Sequence, residues 1–280
     1  MDNEPWPIDS AGLEAKQRTL ARAADATEPW SWPGTAPHGG AVLKGEAATG
    51  AVTRTRPAAG RAVRGHPATG LDRLTPAAGL SVATAFAAFP RGEGGPGRAG
   101  QPVVVVAIMW RGGRAVDSHV FEGPSGGPYA AGYLALRCGA LLEAAIRGLE
   151  QRPDVVLVDA TGRDHPRRAG LALHLGARLD VPSVGVTNRV LVAEFDEPGL
   201  ERGAVAPLRI AGDLVGYAVR TRAGARPVLA HAAWRTTPEQ ARDLVLALGG
   251  RWRTPLPLRA ARTLARLGRG CEGRGCEGRD

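Results

Sequence analysis

The scarcities in this sequence narrow it first. Cysteine occurs only at Cys138, Cys271 and Cys276. An odd count, with two members in a glycine-rich tail, excludes a small secreted fold built on a disulfide framework. The longest apolar run, Val103 to Trp110, falls far short of the roughly 20 residues a membrane-spanning helix needs, so no membrane partner is expected. The opening MDNEPWPIDSAGLEAKQ has no basic stretch followed by an apolar one, so no signal peptide is expected and the location expected is cytoplasmic. Lysine is confined to Lys16 and Lys44, leaving arginine to carry a net charge of +9. The planar guanidinium fork suits phosphates better than an ammonium does. DNA or RNA is therefore the partner that charge points to, although charge speaks to association and not to catalysis. A genome rich in arginine codons would leave the same imprint.

What remains is enough to fold. With 280 residues, 44% of them hydrophobic, the chain can bury one substantial core or two small ones. Its 39 glycines and 22 prolines gather in 33–70, 90–101 and 268–280, which predicts that not all of the chain packs. Four parts follow: an N-terminal helical segment (1–33), a Gly/Pro/Arg-rich insertion or linker (34–69), a core domain (70–267) and a Gly/Arg/Cys tail (268–280). The insertion carries Lys44, Arg54, Arg56, Arg61 and Arg64 without a sustained period. It reads as a solvated polar segment, with diffuse nucleic-acid contact as the functional alternative. The tail repeats GRGCE, and two thiols fall short of the four ligands zinc asks for, so disorder is expected there.

Periodicity places the elements. Leu13, Lys16, Leu20 and Ala24 share helical spacing, with Asp9 or Ser10 as the cap. Strands are expected at 78–86, at Val103–Trp110 and at Ala115–Val120, the first two joined across a glycine-rich connection. Tyr133 to Leu149 predicts a one-sided helix, and VVLV at Val155–Val158, continuous and not alternating, predicts a buried central strand. A helix near Arg168–Leu179, strands at Ser183–Val186, Leu214–Arg220 and Pro227–His231, and helices at Pro238–Leu248 and Pro257–Leu267 complete the pattern. Three antiparallel strands followed by α/β units is the architecture expected. In the last helix Arg259, Arg262 and Arg266 share one face, suited to a phosphate backbone or simply to solvent.

The chemistry concentrates at Asp159, which ends VVLVD just before the loop ATGRDHPRR. The C-terminal end of a central strand is where α/β sheets bind ligands. Such a residue also often caps a helix, so alone it is a weak signal. Metal-assisted phosphodiester hydrolysis needs clustered oxygen donors, ordinarily several carboxylates, and further acids at neighbouring strand ends are scarce. Cys138 with His165 could form a thiol nucleophile given a base within about 3.2 Å and a lowered thiol pKa. A small residue packed at a helix start is the simpler reading. His174, on the apolar face of its helix, is expected to be a structural, hydrogen-bonded histidine, and His231 at a strand end stays ambiguous.

Gly127 to Leu191 carries, in order, Pro-Tyr-x-x-Gly, Pro-Asp before a hydrophobic strand ending in Asp, His-Pro-Arg, and Pro-x-x-Gly-Val. The segment resembles endonuclease V, a deoxyinosine-directed, Mg²⁺-dependent nuclease family with a ribonuclease-H-like fold. The resemblance extends from Leu13 to Ala265, weakly over 34–69. It implies an α/β fold with a mixed central sheet flanked by helices. Asp159 would stand at a metal-binding catalytic aspartate, Pro128, Tyr129 and Gly132 in the wedge that opens the strands, and Gly162, His165 and Arg167 beside the hypoxanthine pocket. Against the family pattern, Ser81 would stand at a second aspartate, Cys138 at the glutamate, Asn188 at the catalytic lysine and Trp234 at a late histidine. Loss of those groups removes most of the charge that would hold Mg²⁺, unless Asp164, Asp117 or Glu122 compensates. The sequence thus predicts a monomeric nucleic-acid-binding relative with impaired or absent cleavage. The alternatives are an active nuclease with rearranged ligands, and a structural or protein-interaction role.

Overall fold

The computed structural model of the chain describes residues 4–31, 79–90 and 96–268. The 34–69 insertion with its five basic residues, and the tail beyond Gly268 with Cys271 and Cys276, lie outside the described residues.

Helix α1 (Ser10–Ala26) starts where the Asp9 carboxylate accepts the Gly12 N–H at 2.7 Å, so Asp9 is the cap of the two candidates. Leu13, Gln17, Leu20, Ala21 and Ala24 form its buried stripe. Asp9→Ala is expected to cost about 1 kcal/mol and lower the thermal midpoint by about 2–4 °C. A midpoint unchanged from wild type would mean that packing alone holds the helix.

Strands β1 (Val82–Ala88), β2 (Pro102–Arg111) and β3 (Arg114–Pro124) form an antiparallel meander. Helix α2 (Leu134–Arg147) then leads to β4 (Val155–Val158), parallel to β1, and α3 (Leu171–Leu179) to β5 (Ser183–Thr187), parallel to β4. Strands β6 (Val205–Ile210), β7 (Asp213–Val219) and β8 (Val228–Ala232) are antiparallel and join the sheet through β8 against β5. Helices α4 (Pro238–Ala247) and α5 (Leu256–Gly268) follow. The order β3-β2-β1-β4-β5-β8-β7-β6 is the mixed central sheet of a ribonuclease-H-like α/β fold, as expected from the sequence. Strand β6 was not expected, because Pro207 interrupts its alternation. It is tolerated because β6 is the outermost strand, where a missing N–H costs no ladder bond.

The sheet is covered on both faces, which is why VVLV lacks a polar side. Ala83, Ala85, Val156 and Val158 pack beneath α2 and α3. Val82, Val155, Leu157 and Val184 pack against residues of α4 and α5, and Val104, Val106 and Ile108 pack against Ala261 and Ala265 of α5. Among the described residues no helix is long and apolar enough to cross a membrane.

The N-terminal segment is tied down by a buried carboxylate. Glu143 of α2 accepts the Trp6 indole N–H at 2.5 Å and pairs with Arg147 at 2.8 Å and Arg178 at 3.0 Å. Trp6 in turn stacks on His174, ring centroids 4.3 Å apart. The hydrogen bonds expected of His174 are not made: neither ring nitrogen has a partner among the described residues. Stacking and burial hold this histidine, and burial pushes its pKa down to about 3.

Candidate functional site

Parallel strands bring their C-terminal ends to one edge, and that edge is where this chain's candidate residues collect. Ala85 of β1 lies opposite Val158 of β4, so the next residues, Phe86 and Asp159, stand level. Asp159 is already engaged: Arg262 of α5 donates from Nη2 to its Oδ2 at 2.6 Å, both side chains about a quarter exposed. The same helix face sets Arg262 and Arg266 at 5.5 and 6.0 Å from the Phe86 ring centroid. Phe86, Asp159, Cys138, Phe89, Tyr129 and Leu142 are among the residues lining a cavity of about 430 Å³ at this edge. Asp159 is the only carboxylate among its described lining residues.

Cys138 enters the cavity from α2 with its Sγ donating to the Leu134 carbonyl at 3.6 Å. Burial pushes its pKa up to about 12, an effect that the neighbouring Arg137 charge only partly offsets. The group is a protonated thiol, unsuited to act as nucleophile or metal ligand.

Beside the cavity, two loops meet on one carbonyl. His165 is buried; its Nε2 donates to Gly132 O at 3.0 Å and its Nδ1 accepts the Arg167 N–H at 3.1 Å. Those partners select the neutral Nε2–H form, since a carbonyl only accepts and an N–H only donates. Burial, chiefly, lowers the His165 pKa to about 4. Arg167 also donates to Gly132 O, at 3.2 Å, and to Gln17 Oε1 of α1 at 2.6 Å. Gly132 has φ +79°, which favours glycine at this junction. Gly162 is required for a different reason: a Cβ there would collide with the Ala232 carbonyl of β8.

The structure therefore brings Gly132, His165 and Arg167 together, with Tyr129, 56% exposed, lining the adjacent cavity and Pro128 exposed next to it. Ser81 and Trp234 do not join Asp159. Ser81 precedes β1 at the opposite edge of the sheet, where its Oγ donates to Asp154 Oδ2 at 2.7 Å and starts the strand pair. Parallel pairing sets Phe86, and not Ser81, level with Asp159. Trp234 likewise lies away from Asp159. It is buried beside Ser183 at that same far edge, because β8 runs antiparallel to β5, and the late-chain residue that reaches Asp159 is Arg262. Asn188 is exposed just past β5, at the same C-terminal strand edge as Asp159, since β5 runs parallel to β4.

The acids that might have compensated are committed elsewhere. Asp164 is fully buried and accepts the N–H groups of Leu191, Val192 and Ala193 at 2.8–2.9 Å. Asp117 caps the Glu150 N–H at 2.8 Å. Glu122 lies on β3, three strand steps from β4, or about 14 Å away. Among the described residues no group of three or more His, Cys, Asp or Glu is placed to hold a metal ion. The Mg²⁺ that the resemblance implies does not fit this donor set: one carboxylate already paired with a guanidinium, a protonated thiol and a phenyl ring.

Sequence reasoning missed Phe86 and Arg262. The helical spacing of Arg259, Arg262 and Arg266 announced a shared face without saying what it covers. Phe86 becomes visible only when β1 is set in register with β4.

Comparison with known proteins agrees with this frame. The family model for endonuclease V matches residues 87–263. The endonuclease V of Roseiflexus castenholzii is 39% identical over 165 residues, 59% of this chain and 74% of that protein. That of a Roseiflexus species is 42% identical over 142 residues, 51% of this chain and 64% of that protein, so the chain spans less than two thirds of this second relative. Among solved structures, endonuclease V from Streptomyces avermitilis superposes with a TM-score of 0.69 at 25% identity, covering 96% of each chain.

Proposed function

The chain belongs to the endonuclease V family, and from that premise we propose that it is a nucleic-acid-binding member whose metal-dependent phosphodiester cleavage is impaired or lost. One observation carries the reading: Asp159, the acid at the strand end, is bonded to Arg262 at 2.6 Å and flanked in its cavity by Phe86 and Cys138. A guanidinium beside the lone carboxylate supplies the positive charge that a hard divalent ion would otherwise bring, and neither neighbour offers an anionic oxygen. Binding is supported by the net charge of +9 and by the joined wedge and His-Pro-Arg loops. The DNA-bound endonuclease V of Ciona intestinalis, 16% identical, shares the fold with a TM-score of 0.62.

The test has two arms. Binding to deoxyinosine-containing and ordinary duplexes is measured across a salt series, and affinity is expected to fall steeply with salt as phosphate counterions are displaced. Affinity no better than that of an acidic control protein would sink the binding half. Nicking near deoxyinosine with Mg²⁺ or Mn²⁺ is then compared between wild type and Asp159→Ala, and both are expected to give the same background. Metal-dependent nicking abolished by Asp159→Ala would instead establish an active nuclease with rearranged ligands.

A further inference from the structure

Helix α5 carries more apolar surface than its place on the sheet uses. Leu258, Ala261 and Ala265 are buried against the sheet, and one such stripe is what a helix lying on a sheet needs. A second stripe, Leu256, Ala260, Leu264 and Leu267, recurs every three or four residues along another flank. With Ile108 and Trp110 of β2 it lines a groove of about 360 Å³. Leu264 is 38% exposed and Leu267 63%, and apolar side chains gathered in this way on a surface mark a place of contact. The groove shares no lining residue with the cavity at Asp159. Arg259 also lines it, held 3.9 Å from the Trp252 ring centroid, with Arg251 at 5.0 Å from the same ring. Among the described residues neither arginine is in an ion pair, and the groove's described lining contains no carboxylate.

We propose that this groove docks an acidic, amphipathic helix of a partner protein. Apolar side chains of that helix, three and four residues apart, seat on Trp110, Leu264 and Leu267 and displace the water held against them. Its carboxylates meet Arg259 and Arg251, whose guanidinium groups already rest on Trp252, so little side-chain freedom is lost when the pairs form. Charge complementarity selects this occupant. A nucleic acid would satisfy the arginines, but its sugars and phosphates carry no branched apolar group to cover the leucines. A second copy of this chain would cover the leucines, but an isologous contact sets the same arginine-bearing patch against itself. The three α5 arginines thus serve two places: Arg262 reaches Asp159, whereas Arg259 stands at the groove. Docking here is independent of whether the strand-end site binds nucleic acid.

The probe is a displayed library of random peptides about 15 residues long, roughly 22 Å as a helix and enough to span the groove side of α5, selected against the full chain. Leu264→Arg and Leu267→Arg serve as controls, both at exposed positions, so the buried stripe of α5 stays intact. The recovered peptides are expected to carry apolar residues at helical spacing beside glutamate or aspartate. Labelled and titrated, they should bind wild type at least about 10-fold tighter than either leucine variant. Replacing their acids by lysine should weaken binding to wild type about 10-fold and weaken binding to Arg259→Glu less, the coupling expected of a direct charge pair. Recovery of no peptide, of peptides without acids, or of peptides indifferent to both leucine variants would overturn the proposal. So would an ordinary DNA duplex that competes the peptides away, which assigns the groove to nucleic acid, or a wild-type dimer that Leu264→Arg dissociates, which assigns it to a second copy.

Discussion

A triple variant, Phe86→Asp, Cys138→Glu and Arg262→Ala, is expected to acquire a Mn²⁺ site. Phe86 stands level with Asp159 and Cys138 lines the same cavity. The first two changes therefore add two carboxylates around the one already present, and the third removes the guanidinium bonded to it. Three clustered carboxylates repel one another without a cation, so the metal-free variant should be less stable than wild type and regain stability on loading. At free Mn²⁺ near 100 times the dissociation constant the gain is about 2.7 kcal/mol, and thermal midpoints with and without Mn²⁺ report it directly. Wild type, under the same additions, should show no comparable rise. Cleavage should remain slow even in the loaded variant, because exposed Asn188 offers no positive charge to a reacting phosphate. A folded triple variant whose midpoint ignores Mn²⁺ would mean that these three positions do not make a metal site.

Acid should destabilise this protein earlier than its carboxylates alone would. His165, His174 and His231 are buried with depressed pKa values, to about 4 for His165 and about 3 for His174, with desolvation the first cause in each. The charges facing them differ. Arg167 and Asp164 stand near His165, Arg178 and Lys16 near His174, and Asp164 near His231. A depressed histidine pKa means that the unfolded chain, titrating near 6.5, binds protons the folded chain refuses. Stability is then full above pH 6.5 and is lost as pH falls through the folded values near 4 and 3. The combined loss between pH 7 and pH 4 is on the order of several kcal/mol, read as a falling denaturant midpoint at pH 7, 5.5 and 4.5. His174→Phe should shallow that slope and hold or raise stability at pH 7, since it keeps a ring against Trp6 and removes two ring nitrogens that have no partner among the described residues. A midpoint flat across this window would show that these histidines are hydrated in solution.

Much of the frame is local and therefore readable. Asp9 caps α1 because its carboxylate reaches an amide three residues on, and VVLV is a central strand because helices cover both sides of it. Asp159 ends that strand and His165-Pro166-Arg167 form the turn beyond, as their order along the chain implied. Pro207 hid β6, since the penalty of proline depends on whether a neighbouring strand needs its missing N–H, and an edge strand has one side without a neighbour.

The sequence by itself determined the elements, the family resemblance and the identity of one acid, because caps, periodicity and motif order act over a few residues. Which residues surround that acid was decided only by tertiary structure. Phe86 and Asp159 are 73 positions apart and meet through strand register, and Arg262 comes from a further 103 positions away on a helix laid across the sheet. A register shift of one residue turns a strand's side chains to the other face, and matching residues along the chain put Ser81 where the folded sheet has Phe86. The pairing of Asp159 with Arg262 is thus a property of packing, invisible until distant segments are brought edge to edge.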